Sequence, residues 1–396
     1  MSSPTLAYAT NGRSTRITYT GERRDFVRLV RRGALLELVT AGFYRFWLAT
    51  DMRRVLWSGT SIEGHAAEYT GTAKELLFGF LFALAILAPI YLVYFLIGIE
   101  AERAKAFAST PLVLFFYAFG QFAIFRARRY RATRTVWRGV RFWMSGSGWA
   151  YSGRACLWTL FALVTIGLAE PWREAALERY KMRHLHYGDL QARFDGTGWD
   201  LFKRGFWLWL SVFGSLVFIV VLRTNPVAKL LPLILFITAP FIYAAYKAVV
   251  WRWWVNGIRF GEVRFESDLP INALRGLYWA TIGWFLLISI TGGITIGLID
   301  GVMAFALNGH FGFADFVSLA RSHPYLMAVP NFAIYLAFAL CAGIAIRVYL
   351  VRGVWERVVT SATAHNLETA DNVRVEGDLV SALGEGFADG LDVVGF

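Results

Sequence analysis

Cysteine and histidine are scarce in this chain, which has two cysteines and six histidines among its 396 residues. Cys156 and Cys341 both have apolar neighbours in the sequence, which favours two buried thiols, because a disulfide framework or a zinc site needs more ligands. His184 and His186 alternate on a predicted strand and share one face. Without a third ligand, they favour a polar strand face over a metal site. We therefore predict neither a metal nor a cofactor.

The sequence also lacks the short motifs that identify common catalytic and nucleotide-binding sites. It contains no phosphate-binding loop, dinucleotide glycine fingerprint, His-Glu-x-x-His helix, Gly-x-Ser-x-Gly elbow or paired Cys motif. Gly146-Ser147-Gly148 lies in a predicted hairpin and indicates a turn. We predict no catalytic residue, and only an enzyme that uses none of these motifs would be compatible with the sequence.

Charged residues make up only 17% of the chain, whereas 57% of it is hydrophobic, a composition typical of membrane proteins. A helix needs roughly 20 apolar residues to cross a bilayer. Six runs without an ionisable side chain reach or approach this length, and they fall into three close pairs. These runs are 76–99, 106–125, 205–222, 230–246, 276–299 and 325–346.

Most basic residues lie outside the three pairs, many of them next to the ends of the apolar runs. By the positive-inside rule, both termini and all segments between the pairs are expected on the cytoplasmic side. Contact with anionic lipid explains the net charge of +12, so we expect lipid and no nucleic acid as a partner. The acidic residues near the C-terminus are expected to dock onto this basic surface.

The predicted fold class is an α-helical polytopic membrane protein with about six transmembrane helices in three hairpins. Short interfacial or re-entrant helices and small cytoplasmic β-hairpins from a repeated unit complete it. The predicted division of the chain is a repeat unit (1–75), hairpin 1 (76–125), further repeat units (126–204), hairpin 2 (205–250), a β unit (251–275), hairpin 3 with a periplasmic loop (276–346) and the acidic tail (347–396).

An aromatic-x-Gly signature recurs ahead of predicted helices and indicates an internal repeat. Its copies are Tyr19-Thr20-Gly21, Tyr69-Thr70-Gly71, Tyr151-Ser152-Gly153 and Phe194-Asp195-Gly196. A constant offset of 125 residues also relates Thr40, Gly42 and Trp47 to Thr165, Gly167 and Trp172, and Tyr69 and Gly71 to Phe194 and Gly196. Segments 60–70, 140–152 and 256–266 read as strands or hairpins that precede helices.

Two helices of the repeat, 26–48 and 155–170, are too short to span a bilayer and are expected to be either re-entrant or interfacial. They contain Glu37, Arg45 and Glu170, which would form intramembrane pairs in the first case and reach headgroup water in the second. Asp300 follows a Thr291-Gly292-Gly293 segment that is expected to break its helix. A broken helix beside a carboxylate is one way in which transporters bind ions, and a carboxylate near a loop is the alternative.

The run Gly42-Phe43-Tyr44-Arg45-Phe46-Trp47 is followed by Arg53-Arg54, Trp57, Tyr69-Thr70-Gly71-Thr72 and Glu75-Leu76. Together these residues resemble the YjgN-like family of bacterial inner-membrane proteins (domain of unknown function 898). Family members often have proline before the tryptophan; here the first copy has Phe46, and the second has Pro171-Trp172. The resemblance implies a multi-pass protein of the bacterial inner membrane and supplies no activity or site residue.

Two functions follow as hypotheses. The first is a membrane scaffold that binds lipid or a protein partner through its basic, aromatic-rich cytoplasmic modules, with a homo-oligomer as one possible assembly. The second is a transporter or channel built on the duplicated units, with a broken helix near Asp300. A membrane enzyme that uses the face of His184 and His186 is a third, weaker hypothesis.

Overall fold

The structure, a computed structural model, describes residues 12–103, 109–221, 231–308 and 324–377. Eleven short strands and eleven α-helices occur within these residues. The strands are β1 (Ser14–Arg16), β2 (Thr18–Tyr19), β3 (Thr60–Ile62), β4 (His65–Tyr69), β5 (Thr135–Trp137), β6 (Val140–Met144), β7 (Leu185–Tyr187), β8 (Leu190–Phe194), β9 (Ile258–Phe260), β10 (Val263–Ser267) and β11 (Ala362–His365).

All of these strands belong to one antiparallel sheet, in the order β1-β11-β10-β9-β8-β7-β6-β5-β4-β3-β2. The two strands at the ends of this order, β1 and β2, are separated in the chain by Ile17 alone. β1 pairs with β11, and β2 pairs with β3. Because one continuous stretch of chain pairs on both sides, the sheet returns on itself and forms a nearly closed barrel.

Four tight turns join strands into hairpins at one end of the barrel. Glu63-Gly64 and Arg138-Gly139 have positive φ at both positions, as two-residue turns of type I′ require, and Gly188 and Gly261 supply the positive φ in the other two turns. The fifth pair of neighbouring strands joins the two ends of the described chain, since β11 near the C-terminus pairs with β1. With β1 and β2 counted as one strand interrupted at Ile17, the barrel therefore contains five strand pairs in a ring.

Side chains alternate between the inside and the outside of the barrel, as the two-residue period of a strand requires. In β8, Ala192 and Phe194 are buried, whereas Gln191 and Arg193 are exposed. Trp137, Tyr187, Val263 and Ala364, from four different strands, pack together in one apolar cluster. The core of the barrel is thus built from short strands that lie far apart in the sequence.

Each strand pair is preceded and followed by a helix, and all of these connections leave the barrel at the end opposite the turns. The helices are α1 (Arg23–Val39), α2 (Arg45–Ser58), α3 (Ala73–Arg103), α4 (Ser109–Thr133), α5 (Gly148–Val164), α6 (Glu170–Arg183), α7 (Gly198–Val221), α8 (Leu231–Gly257), α9 (Arg275–Asn308), α10 (Pro324–Ala345) and α11 (Gly353–Thr360). A π-helix, Ile346–Arg352, links α10 to α11. Helix α2 packs against α3, α4 against α5, α6 against α7, α8 against α9, and α10 against α1.

The 125-residue offset extends to whole elements of the structure. The bounds of α1, α2, β3 and β4 recur with this offset as those of α5, α6, β7 and β8. The turns between the short helices also match: the Thr40 hydroxyl donates to Leu36 O and accepts from Tyr44 N, and the Thr165 hydroxyl does the same with Phe161 O and Ala169 N. At the next helix, the amides of Glu75 and Asp200 donate to the hydroxyls of Thr72 and Thr197 as N-terminal caps.

The predicted fold class is wrong, because the molecule is not a helical membrane bundle with small separate hairpins. Its strands unite in one barrel-like sheet of eleven strands. Strands of two to five residues are too short to be stable as isolated hairpins, so they pair with strands of neighbouring repeats instead. Within the described residues, three helical segments, rather than six, are long and apolar enough to cross a membrane: Ala73–Ile97, Arg275–Met303 and Asn331–Thr360.

Three local predictions also need correction. Segment 140–152 is not all strand, because β6 ends at Met144 and α5 begins at Gly148. The helices predicted at 26–48 and 155–170 are each two helices that meet at a tight turn. Helix α9 is unbroken at Thr291-Gly292-Gly293, where the Thr291 hydroxyl donates to Leu287 O within the helix. Residues 378–396, the last part of the predicted acidic tail, lie outside the described residues.

Candidate functional site in the barrel

The interior of the barrel contains a cavity of about 350 Å³ whose walls are almost entirely apolar. Inward-facing residues of eight strands form its sides: Thr60, Ile62, Ala67, Thr135, Trp137, Phe142, Leu185, Tyr187, Leu190, Phe260, Val263 and Phe265. A second cavity of about 230 Å³ shares Trp254, Phe260, Phe265 and Trp355 with the first. We refer to the two together as the barrel chamber.

The chamber is closed at the turn end of the barrel by the segment that follows β11. Leu367 and Ala370, on a short 3₁₀ helix (Leu367–Ala370), line the chamber there. Outside them, Arg13 and Arg138 each form ion pairs with both Glu63 and Asp371. Hydrogen bonds from Arg138, with its charge and that of Arg13, hold the pKa of Asp371 below its usual value. Residues near both ends of the described part of the chain thus cover this opening.

Three tryptophans from the ends of helices lie over the opposite opening. The rings of Trp57 and Trp355 stack with their centroids 4.7 Å apart. Their indole N–H groups donate to Thr135 Oγ1 and Thr60 Oγ1, each at 3.0 Å. Because each hydroxyl belongs to the first residue of a strand, these bonds fix the two rings relative to the barrel wall. Trp254, the third, lines both parts of the chamber.

A buried charged group adjoins these tryptophans. Glu178, on α6, accepts hydrogen bonds from Arg128 Nη1 at 3.2 Å and Trp254 Nε1 at 3.1 Å and forms an ion pair with Lys181. Burial raises the pKa of the Glu178 carboxyl, but Arg128 and Lys181 outweigh this effect and hold it at about 2. The group therefore remains charged at neutral pH and ties α4, α6 and α8 together above the barrel.

The polar groups of the chamber are few and lie mainly at its helix end. Arg128 and Arg131, both on α4, line the chamber there, and Arg131 is 8% exposed. On the wall, the hydroxyl of Tyr187 donates to Trp137 O at 3.0 Å, and burial raises its pKa to about 12, so it stays protonated. An apolar interior with cationic groups at one end suits an elongated apolar ligand that has a polar or anionic end.

The aromatic-x-Gly signature has a packing explanation. Tyr19, Tyr69 and Phe194 are the last residues of β2, β4 and β8, and each ring folds back over the glycine two residues later. A Cβ atom at Gly71 would lie 2.6 Å from Cζ of Tyr69, and Gly21 and Gly196 are equally crowded by their own rings. Tyr151 and Gly153 instead lie within α5. By the 125-residue offset, the counterpart of Tyr19 and Gly21 is Met144 and Gly146.

The remaining predicted motif residues have structural positions in the short helical hairpins. Gly42 and Gly167 have φ values of +88° and +80° at the turns between the paired helices, where only glycine is unstrained. Trp47 and Trp172 lie one turn further, in α2 and α6, and Trp172 packs on Phe202 of α7. Trp57 is the one predicted motif residue that lines the barrel chamber.

The four candidate intramembrane charges do not come together at one site. Glu37 forms a bidentate pair with Arg347 of the π-helix, at 2.9 and 2.7 Å. The guanidinium group of Arg45 lies over the rings of Phe46 and Phe80. Glu170 pairs with Arg173. Asp300 is 3% exposed and accepts two 3.4 Å hydrogen bonds from Asn331 Nδ2.

The two histidines considered for a metal site do not share a strand face. His184 follows the last residue of α6, and His186 stacks on Trp143 on the outside of the barrel with ring centroids 4.0 Å apart. Burial lowers the pKa of both imidazoles. In the part of the chain that the structure describes, no group of three or more His, Cys, Asp or Glu side chains is arranged to hold a metal ion.

Sequence reasoning did not select five of the residues around the helix end of the chamber: Arg128, Arg131, Glu178, Trp254 and Trp355. All five lie within the last two turns of a helix that leads directly into a strand. That shared position was a usable signal. In the sequence, however, aromatic and basic residues at these positions are also explained by the belt that accompanies membrane spans, so they were not selected.

A β-barrel that encloses an apolar chamber and carries helices long and apolar enough to cross a membrane defines a class of membrane-associated protein. The chain belongs to the family described as bacterial protein of unknown function (DUF898), whose model matches residues 14–390. This match confirms the resemblance drawn from the sequence. Neither the curated proteins nor the solved structures contain a significant match to the chain.

Proposed function

We propose that this protein is anchored in the bacterial inner membrane and binds the apolar part of a lipid or similar amphiphile in the barrel chamber. The observation that carries the proposal is the chamber itself. Its volume of about 350 Å³ lies within the range of roughly 300–1,000 Å³ that is typical of small-molecule sites. Its aromatic and aliphatic walls offer little to water, which needs two to four polar partners in a buried position.

The charge at the helix end of the chamber favours an anionic headgroup. Arg128 and Arg131 line the chamber there, and the carboxylate of Glu178 forms ion pairs with Arg128 and Lys181. A guanidinium group suits phosphate and carboxylate oxygens because its donors form a planar fork. The proposal thereby narrows the scaffold hypothesis to lipid binding inside the barrel chamber, with anionic lipid as the preferred ligand.

The arrangement of helices supports a barrel at the cytoplasmic membrane surface. Every α-helix of the described residues leaves the barrel at one end, and the tips of the short hairpins expose large apolar side chains, including Val39 and Val164, at 82% and 74%. By the positive-inside rule, the arginines near the barrel end of α4 favour a cytoplasmic position for this end. Because β1 pairs with β11, the two described chain ends then lie on that side too.

The transport hypothesis gains no support from the residues that suggested it. Helix α9 continues through Thr291-Gly292-Gly293, and Asp300 is hydrogen-bonded to Asn331 in the neighbouring helix. The carboxylate is therefore engaged in packing α9 against α10. Lipid binding accounts for the chamber and for the charge around it without a pathway across the membrane.

The proposal is tested by filling the chamber. Ala67 lines it from β4, and the adjacent Ala66 points outward and is exposed. Native mass spectrometry of the full chain with added phosphatidylglycerol should show that Ala67→Trp reduces lipid retention about tenfold, a loss of about 1.4 kcal/mol. Ala66→Trp should retain lipid as the parent does. Equal retention by the parent and both variants, with unchanged thermal midpoints, would refute the proposal.

A further inference from the structure

A separate cavity of about 510 Å³ lies among the helices, between the second short hairpin and the helix pair that follows it. One side is the turn and the start of α6, with Gly167, Leu168, Glu170 and Pro171. The other side comes from α7 and α8 and is strongly aromatic: Phe202, Phe206, Trp209, Tyr243 and Tyr246. Trp209 Nε1 donates to Ile166 O at 3.3 Å, which holds the turn against α7.

The first copy of the duplicated unit shows why this cavity exists. With the 125-residue offset, Phe80 corresponds to Gly205, and Phe46 corresponds to Pro171. In the first copy the rings of Phe46 and Phe80 pack together, with centroids 5.3 Å apart, and fill this position. In the second copy Gly205 and Pro171 both line the cavity. The second copy therefore has a space where the first copy has two phenylalanine rings.

The charge at this position is also reversed between the copies. Arg45 of the first copy corresponds to Glu170, the only charged residue that lines the cavity among the described residues. In the first copy, Arg45 lies within electrostatic range of Arg347 and Glu37, so two cations face one anion. In the second copy, the guanidinium group of Arg173 forms ion pairs with both Glu170 and Glu174.

We propose that this cavity binds an amphiphile through an ammonium headgroup, as in phosphatidylethanolamine, with its apolar part against the aromatic wall. A carboxylate beside aromatic rings is the usual environment for such a cation. Lys247 Nζ lies 5.6 Å from the centroid of the Tyr243 ring, so an ammonium group of the chain itself contacts one ring of this wall. A ligand ammonium would therefore use Glu170 with Trp209 and Tyr246.

This site differs from the barrel chamber in position, lining and headgroup preference, and it does not depend on the function proposed for the chamber. The chamber has basic residues at its end, whereas this cavity has a carboxylate. Ala67→Trp fills the chamber alone and should leave ammonium-lipid binding here unchanged. Failure of one proposal can thus be distinguished from failure of the other.

The test uses native mass spectrometry of the full chain with Ala67→Trp as the parent, so that the barrel chamber binds little lipid, and compares phosphatidylethanolamine with phosphatidylglycerol of the same acyl chains. Gly205→Phe restores the residue of the first copy, and the Cβ position at Gly205 is 3.4 Å from Tyr246, a normal contact. We expect it to weaken phosphatidylethanolamine binding about tenfold. Gly214→Phe is the matched control, because a Cβ atom at this position of α7 has nothing within 4 Å. It should bind like the parent.

Glu170→Gln isolates the charge, since it keeps the size of the side chain. It should remove the preference for phosphatidylethanolamine over phosphatidylglycerol while leaving the affinity for phosphatidylglycerol unchanged or higher. An unchanged preference would overturn the ammonium assignment. Binding by Gly205→Phe as tight as that of the parent and of Gly214→Phe would overturn the site as a whole, provided that their thermal midpoints agree.

Discussion

At the scale of single residues, glycine and its crowding aromatic neighbour explain the most regular feature of the sequence. The ring of Tyr69 covers Gly71 so closely that a Cβ atom would collide with it. The same relation holds for Tyr19 with Gly21 and for Phe194 with Gly196. The motif thus marks the point where the chain leaves the barrel and enters a helix, and glycine is needed there because of steric contact rather than backbone angle.

Replacing Gly71 with alanine should therefore destabilise the protein, by about 1–3 kcal/mol, because Tyr69 must move to make room. Gly153 provides the comparison: the sequence groups it with the same motif, but it lies exposed in α5 with nothing within 4 Å of a Cβ atom. Gly153→Ala should be neutral or stabilise the helix by up to about 1 kcal/mol. Thermal midpoints of the two variants in detergent measure the difference. Equal midpoints would show that the ring does not crowd Gly71.

The buried carboxylate of Glu178 makes a second prediction, concerning pH. Its pKa in the folded protein is about 2, against 4.5 for the free side chain. The ionised form therefore stabilises the fold fully above pH 4.5, and this contribution is lost as pH falls toward 2. A shift of this size corresponds to about 3 kcal/mol.

Thermal midpoints at pH 6 and pH 3.5 test the effect. The parent should lose stability between these values, whereas Glu178→Gln should be less stable at pH 6, because Arg128 and Lys181 then lack their partner, and should change less with pH. An equal loss between the two pH values in parent and variant would assign the acid sensitivity to other carboxylates, such as Asp371.

At the scale of elements, local patterns were predictable and their pairing was not. The strands at 60–69 and 258–267 alternate and turn through glycine, so the sequence shows them directly. The second strand pair, β5–β6, was misplaced because Met144 replaces the aromatic residue at the end of β6, and Tyr151-Ser152-Gly153 resembles the motif seven residues later. The short helices were read as single segments because Thr40 and Thr165 continue the apolar pattern across the turn.

The candidate sites could not be predicted from the sequence either, because they too depend on contacts between elements that lie far apart in the chain. Arg128, Glu178 and Trp254 belong to three helices and meet only when the barrel brings the ends of those helices together. The cavity among the helices could have been predicted from the sequence, because aligning the two copies places Gly205 against Phe80 and Glu170 against Arg45. That comparison needs the repeat to be aligned through the helices, beyond the motif residues that revealed it.

At the scale of the whole molecule, the decisive feature is closure of the sheet by the first described strand. Composition and apolar runs favoured a helical bundle because ten strands of three to five residues leave little trace in average hydrophobicity. Closure depends on pairing Ser14 with His365, residues at opposite ends of the chain. No local signal encodes a contact over that distance, so the barrel could not be inferred from the short strands alone.

Cysteine cross-links can test this closure on both sides of the first strand. In a background with Cys156→Ser and Cys341→Ser, the pair Ser14→Cys with His365→Cys joins β1 to β11, and Thr18→Cys with Ser61→Cys joins β2 to β3. Directly opposed residues in an antiparallel pair have Cα atoms about 4.5–5.5 Å apart, within the range for a disulfide. Both pairs should therefore cross-link under mild oxidation, detected as faster migration on a non-reducing gel.

The control combines Thr18→Cys with His365→Cys, which lie on different sides of the strand and should remain reduced. A barrel requires both cross-links in the same population of molecules, so a variant with all four cysteines should lose all free thiols. If only one of the two pairs oxidised, the sheet would be open at the other strand pairing, either β1–β11 or β2–β3. The interior would then be a groove, and a lipid chain would have an entrance between strands as well as at the helix end.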